Sequence, residues 1–116
     1  MYRIKYFGLV LLLLVSCSSV EEKRTTLAGK YTWGHEVNTI QLCGSDLVFW
    51  VQAKNEIYWL LREFHQSNTM KPYESVFIRF IGSENGKAED GFAADYDGLY
   101  KIESVNDMQA EIPKDC

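Results

Sequence analysis

The sequence has no long hydrophobic run. Its most apolar stretch, Tyr6 to Val15, is about half the ~20 residues that a helix needs to span a bilayer. It has no excess of positive charge either: 12 Lys and Arg stand against 16 Asp and Glu, a formal net charge of −4. An acidic chain repels phosphate backbones and anionic lipid surfaces, which argues against nucleic acid as a partner. There are no internal repeats and no low-complexity tract. Histidine occurs only twice, and no Cys-x-x-Cys pair is present, so ligands at the spacing of a zinc site are lacking. Ser45 does not stand in a Gly-x-Ser-x-Gly setting, the turn that exposes a hydrolase nucleophile. No catalytic set emerges, and no enzyme, metal or cofactor is expected.

What is present begins with Met1-Tyr2-Arg3-Ile4-Lys5, two cations without an acid, followed by the apolar run with its four leucines, Leu11 to Leu14. A cationic start with a short apolar core is the pattern of a secretory signal. The run ends in Leu14-Val15-Ser16-Cys17, which resembles the lipobox of bacterial lipoproteins. That resemblance implies that residues 1–16 are a signal peptide and that Cys17 is lipidated, joining the chain to a membrane through its N-terminal lipid. Several acyl chains on one residue anchor firmly where a single chain binds only marginally. Ser18 follows the cysteine, and by the sorting rule of enteric-type bacteria the absence of Asp there implies the outer membrane. Removing the signal takes Arg3 and Lys5 with it. It leaves 10 basic against 16 acidic side chains, a net of −6. Residues 17–28 include Glu21, Glu22, Lys23 and Arg24 and read as a flexible tether. One small domain is expected over residues 29–116.

With Cys17 assigned to the anchor, Cys43 and Cys116 remain. An extracytoplasmic compartment permits a disulfide, and a cysteine at the last position has little use as a core thiol. A Cys43–Cys116 bridge is therefore expected, worth roughly 4 kcal/mol through loop closure. An intermolecular bond and a metal pair are the alternatives.

Along the domain, Lys30-Tyr31-Thr32-Trp33 alternates polar and aromatic residues, a half-buried strand. Gly34-His35-Glu36 interrupts it, predicted as a bulge or bend, and Val37 to Cys43 continues extended. After a turn at Gly44-Ser45-Asp46, the run Leu47 to Val51 is predicted as a buried strand. Ile57, Leu60, Leu61 and Phe64 then fall at i, i+3, i+4 and i+7, the stripe of an amphipathic helix from about Asn55, its expected cap, to His65. Ser75 to Ile81 and Leu99 to Val105 complete the strands, with a charged surface loop from Gly82 to Gly91 between them and a turn at Asn106-Asp107. The fold class is mainly β, a small OB-like, partly open barrel with one helix.

Gly29-Lys30-Tyr31-Thr32-Trp33-Gly34-His35-Glu36-Val37, Cys43-Gly44-Ser45, Pro72-Tyr73 and Gly91-Phe92-Ala93-Ala94-Asp95-Tyr96-Asp97-Gly98 together resemble a family of small bacterial lipoproteins of unassigned function. That family is similar in turn to the C-terminal OB-like domain of the NlpE envelope lipoproteins, which also carries a cysteine after its first strand and another near its C-terminus. The resemblance implies a link to envelope stress or surface sensing. Copper handling does not follow, because the copper-linked Cys-x-x-Cys pair of NlpE proteins lies in a separate N-terminal domain.

Three constellations are candidates for ligand binding. His35 and Glu36, beside a glycine at the strand interruption, form a polar pair able to point into a groove. Asp95 and Asp97, with Asp90 nearby, crowd a glycine-bounded loop. They lack the further ligands of an EF-hand, so an Asx-rich turn feeding the last strand is the plainer reading. Trp33, paired with Phe92, offers an exposed aromatic surface to a protein or glycan, while most other rings belong to the core. The expected function is a non-enzymatic binding or structural module of the cell envelope, with an envelope protein or cell-wall component as partner. The alternative is a small periplasmic hydrolase or metal-binding accessory built on His35 and Glu36. The anchor has a direct check: radioactive palmitate should label the chain and be lost on Cys17→Ser, and continued labelling of that variant rejects the assignment.

Overall fold

Alternation of small or polar residues with aromatic ones builds the first strand of the structure, a computed structural model that describes residues 25–116. The expected signal, Cys17 and most of the expected tether lie outside the described residues. β1 (Leu27–Gly34) begins two residues before the expected boundary, since Leu27 already pairs with Phe80 and packs partly buried on the core. It is followed by β2 (Val37–Leu42), β3 (Phe49–Ala53), α1 (Asn55–Asn68), β4 (Ser75–Glu84) and β5 (Gly98–Gln109), with a short 3₁₀ turn at Phe92–Asp95.

The strands close a barrel in the order β1-β2-β3-β5-β4. All pairings are antiparallel except β3 with β5. This is the five-stranded OB arrangement, closed where the sequence suggests a partly open barrel. Closure comes from β1, which pairs on both edges: Tyr31 stands opposite Ile40 of β2 and opposite Val76 of β4.

Gly34-His35-Glu36 is not a bulge in one long strand. It is the turn of a β1–β2 hairpin, in which Gly34 pairs with Val37. Glu36, at φ 61°, takes the left-handed conformation that lets the chain reverse within two residues. β3 starts at Phe49 rather than Leu47, which lies outside the strand and is 49% exposed. The turn expected at Asn106-Asp107 is strand instead. Asp107 stands opposite Arg79 in the ladder, a favourable cross-strand pair of opposite charges. Register shifts beside Phe80 and Gly82 let these two long strands bend around the barrel.

The helix plugs the barrel through Leu61, fully buried, with Ile57 and Phe64 partly buried beside it. Leu60 departs from the expected stripe and is 43% exposed, and His65 takes an inward position instead at 1% exposure. Asn55 is the first helical residue rather than the cap. Lys54 holds the cap position, without a side-chain hydrogen bond. The helix runs a turn past His65 because side chains close its end: Asn68 Nδ2 donates to the Phe64 carbonyl at 2.8 Å and Thr69 Oγ1 to the His65 carbonyl at 2.7 Å. Tyr31, Ile40, Phe49, Val51, Val76, Ile78, Phe80, Tyr100 and Ile102 fill the barrel around Leu61. On the other face of β4, Phe77 is also buried, and the Arg79 guanidinium lies 5.0 Å from its ring centre.

Cys43 and Cys116 are joined by a disulfide across 73 residues of sequence, as expected. The bridge ties the C-terminal tail to the end of β2, where the Cys43 amide donates to the Ala28 carbonyl at 2.9 Å. Loop closure of this length contributes about 4 kcal/mol at most. Cys116→Ser should accordingly lower the unfolding free energy by about 2–4 kcal/mol in denaturant titration, and an unchanged midpoint rejects a stabilising role for the bridge.

Candidate functional site

At the β1–β2 end of the barrel lies a groove of about 810 Å³. Its residues come from six places in the chain. β1 supplies Trp33, the hairpin turn His35 and Glu36, β2 Val37 and Asn38, β3 Trp50, α1 Tyr58 and Arg62, and the 3₁₀ turn Phe92. The β2–β3 face and the loops after β1 and β4 are where OB barrels bind oligonucleotides and oligosaccharides.

One wall is aromatic and cationic. The Trp33 indole donates to the Tyr58 hydroxyl at 3.4 Å. The Arg62 guanidinium lies 4.9 Å from the Trp33 ring centre and 5.0 Å from that of Trp59. Tyr58 and Trp59 precede Arg62 by four and three residues on one helix, the spacings at which side chains meet. Trp50, on β3, packs against Tyr96 at 5.7 Å between ring centres. Phe92, half exposed, stands at the rim.

Asn38 is the buried polar residue of the groove. Its Oδ1 accepts from the Tyr31 hydroxyl at 2.6 Å and its Nδ2 donates to the Val51 carbonyl at 3.4 Å. Burial, and then the neighbouring Tyr58, hold the Tyr31 hydroxyl well above the usual phenol range, while the positive charge of Arg62 pulls the other way. Tyr31 therefore remains a neutral donor that orients Asn38.

The hairpin is braced from behind by Tyr73, at φ 71°. Its amide donates to the Trp33 carbonyl and its hydroxyl to the His35 carbonyl, both at 3.2 Å. The ring lies so close to Gly34 that a Cβ there would collide with it. Only glycine fits, which accounts for the residue ahead of the turn.

His35 and Glu36 lie 3.2 Å apart at side-chain exposures of 86% and 49%. Such a solvent-facing pair contributes little to stability, and its place on the rim leaves it open to a ligand. The other histidine behaves differently. His65 is buried, its Nε2 hydrogen-bonded to the Glu74 carbonyl and its ring against those of Tyr31 and Trp33.

Of the residues singled out from the sequence, Trp33, His35, Glu36 and Phe92 converge on the groove. Asp95 and Asp97 do not line it. Asp97 Oδ2 accepts from the Val48 amide at 2.8 Å, and the Asp97 amide donates to the Val48 carbonyl at 2.9 Å. That reciprocal pair fastens the loop before β5 to the start of β3, which is the work of a turn aspartate. Among the described residues no cluster of three or more His, Cys, Asp or Glu could hold a metal ion. Asn38 and Arg62 are groove residues that nothing in the sequence singles out beyond the Tyr58–Arg62 spacing on the helix, and Trp50 and Tyr58, whose rings read as core packing, line the groove as well.

Comparison with protein-family models, curated proteins and solved structures finds no match for this chain.

The Tyr31–Asn38 bond has a pH signature. A hydroxyl whose folded pKa is raised stays protonated while the unfolded chain ionises, so its stabilisation is complete below the ordinary value of 10.0 and is lost as pH rises above it. Tyr31→Phe should cost about 1–3 kcal/mol near neutrality, by leaving Asn38 Oδ1 unpaired. It should also reduce the alkaline fall in stability followed by circular dichroism. An unchanged alkaline limb in that variant rejects the assignment to Tyr31.

Proposed function

We propose that this chain is a lipoprotein of the outer membrane, carrying a disulfide-stapled OB-like barrel that serves as a non-enzymatic binding module of the cell envelope. The observation that carries the reading is the groove: an aromatic-lined concavity on the face by which OB barrels hold extended ligands. Four rings, from Trp33, Trp50, Tyr58 and Phe92, line it, giving large contact area at low entropic cost. The acid-rich composition disfavours nucleic acid as the occupant. The signal-like N-terminus and Cys17 support the membrane address, and the resemblance to small lipoproteins and the NlpE C-terminal domain supports a role linked to envelope stress or surface sensing. A hydrolytic or metal-binding role for His35 and Glu36 has their 3.2 Å contact in its favour. High exposure and the lack of a neighbouring nucleophile among the groove residues weigh against it.

The test is a photo-crosslinking amino acid placed at Phe92 in cells expressing the full chain, with exposed Lys114, outside the groove, as the reference position. A specific envelope adduct at position 92, absent at 114 and weakened by Trp33→Ala, is expected. Equal adduct patterns at the two positions reject the groove as the binding face.

A further inference from the structure

Arg62 is unlike every other side chain of the groove. Its guanidinium lies over two indoles, 4.9 Å from the Trp33 centre and 5.0 Å from the Trp59 centre. Attraction to a ring face does not use up the N–H donors of a guanidinium, and they remain able to hydrogen-bond along its edge. That edge is unused. Among the described residues no carboxylate pairs with Arg62, and its buried Nε donates to nothing. This occurs in a chain with 16 acidic residues. Glu36 lines the same groove, yet its carboxylate contacts His35 instead. A cation packed against two rings, and paired with no acid among the described residues, is arranged for a carboxylate that comes from outside. The two N–H groups at the end of a guanidinium match the two oxygens of a carboxylate, a charge-assisted pair stronger than neutral hydrogen bonds.

The rest of the groove narrows what carries that carboxylate. Trp50 and Phe92 add flat apolar surfaces to the same groove, and the exposed His35 and Glu36 offer donors and acceptors. Apolar faces bordered by hydroxyl-binding groups suit a pyranose ring, whose C–H face is apolar and whose edge is polar. We propose that the groove binds an acidic saccharide, with Arg62 receiving its carboxylate and the aromatic side chains covering its ring. This rests on the reading of the barrel as a binding module and names its ligand class.

The three tryptophans of the chain all lie in or beside this site, Trp33 and Trp50 in the groove and Trp59 on Arg62. Intrinsic fluorescence of the full chain in detergent therefore reports on it. The probes are N-acetylmuramic acid and N-acetylglucosamine, which share one ring and differ by a lactyl carboxylate. The acidic sugar is expected to saturate the signal at concentrations about tenfold lower than the neutral one. Arg62→Lys, which keeps the charge and the packed stem but not the planar fork, should lose most of that preference, and Arg62→Met all of it. N-acetylglucosamine, which brings no carboxylate, is the reference against which the preference of each variant is read. Equal half-saturation by the two sugars, a preference that survives Arg62→Met, or no response to either sugar overturns the proposal. A response to a free dipeptide carboxylate, with none to the muramic acid, overturns it in favour of a peptide terminus. The Phe92 crosslink decides the underlying binding reading separately, since it needs no carboxylate.

Discussion

Residues Gly29 to Thr32 are paired on both edges at once, with Leu42 to Thr39 of β2 on one side and Ile78 to Ser75 of β4 on the other. The rest of the structure follows from that double ladder. A strand used twice has no free edge, so the sheet closes and no row of unpaired amides is left open there. Closure turns Tyr31 inward to the centre of the barrel, where it is wholly buried. A buried phenol must find a partner, and it finds Asn38 across the hairpin. Asn38 lies at the base of the groove, so barrel closure and groove shape are linked through one hydrogen bond.

Around that centre the molecule accommodates polar groups that a purely apolar core of this size would exclude. His65 reaches inward from the helix and is satisfied by a backbone carbonyl of the segment leading to β4. Its ring contacts Tyr31 and Trp33, so the helix is fixed in rotation as well as in depth. This rotation presents Tyr58 and Arg62 to the groove while leaving Trp59 and Leu60 more than 40% exposed. The disulfide acts at a distance from this region. It secures the C-terminal tail against the end of β2 and leaves the groove end to be held by Tyr73 and the Asp97–Val48 pair.

Much of the barrel was legible along the chain. β4 was plain from Val76, Ile78 and Phe80 on one face, the helix from Ile57, Leu61 and Phe64, and the bridge from two cysteines left after an anchor was assigned. The errors have a common source. A glycine followed by His-Glu reads locally as either a bulge or a turn, and the choice depends on whether Trp33 meets Asn38 across a ladder. Asn106-Asp107 reads as a turn until Arg79 is placed opposite Asp107. Leu60 fits the helical stripe and is nonetheless half-exposed, while His65, expected only as the end of the helix, turns inward because a backbone carbonyl meets its ring there.

By itself the sequence determined the class: a small, acidic, mainly β domain with one amphipathic helix, stapled by Cys43 and Cys116, behind a segment that resembles a lipoprotein signal. Those features are periodicities and compositions, which are local and survive without knowledge of long-range contacts. Tertiary structure decided the site. Trp33 and Phe92 are 59 positions apart, and they line one groove because the barrel closes. Arg62 belongs with them because His65 and Leu61 set the rotation of its helix. Asp95 and Asp97, although crowded in sequence, are left out of the groove because Asp97 is spent on the Val48 backbone.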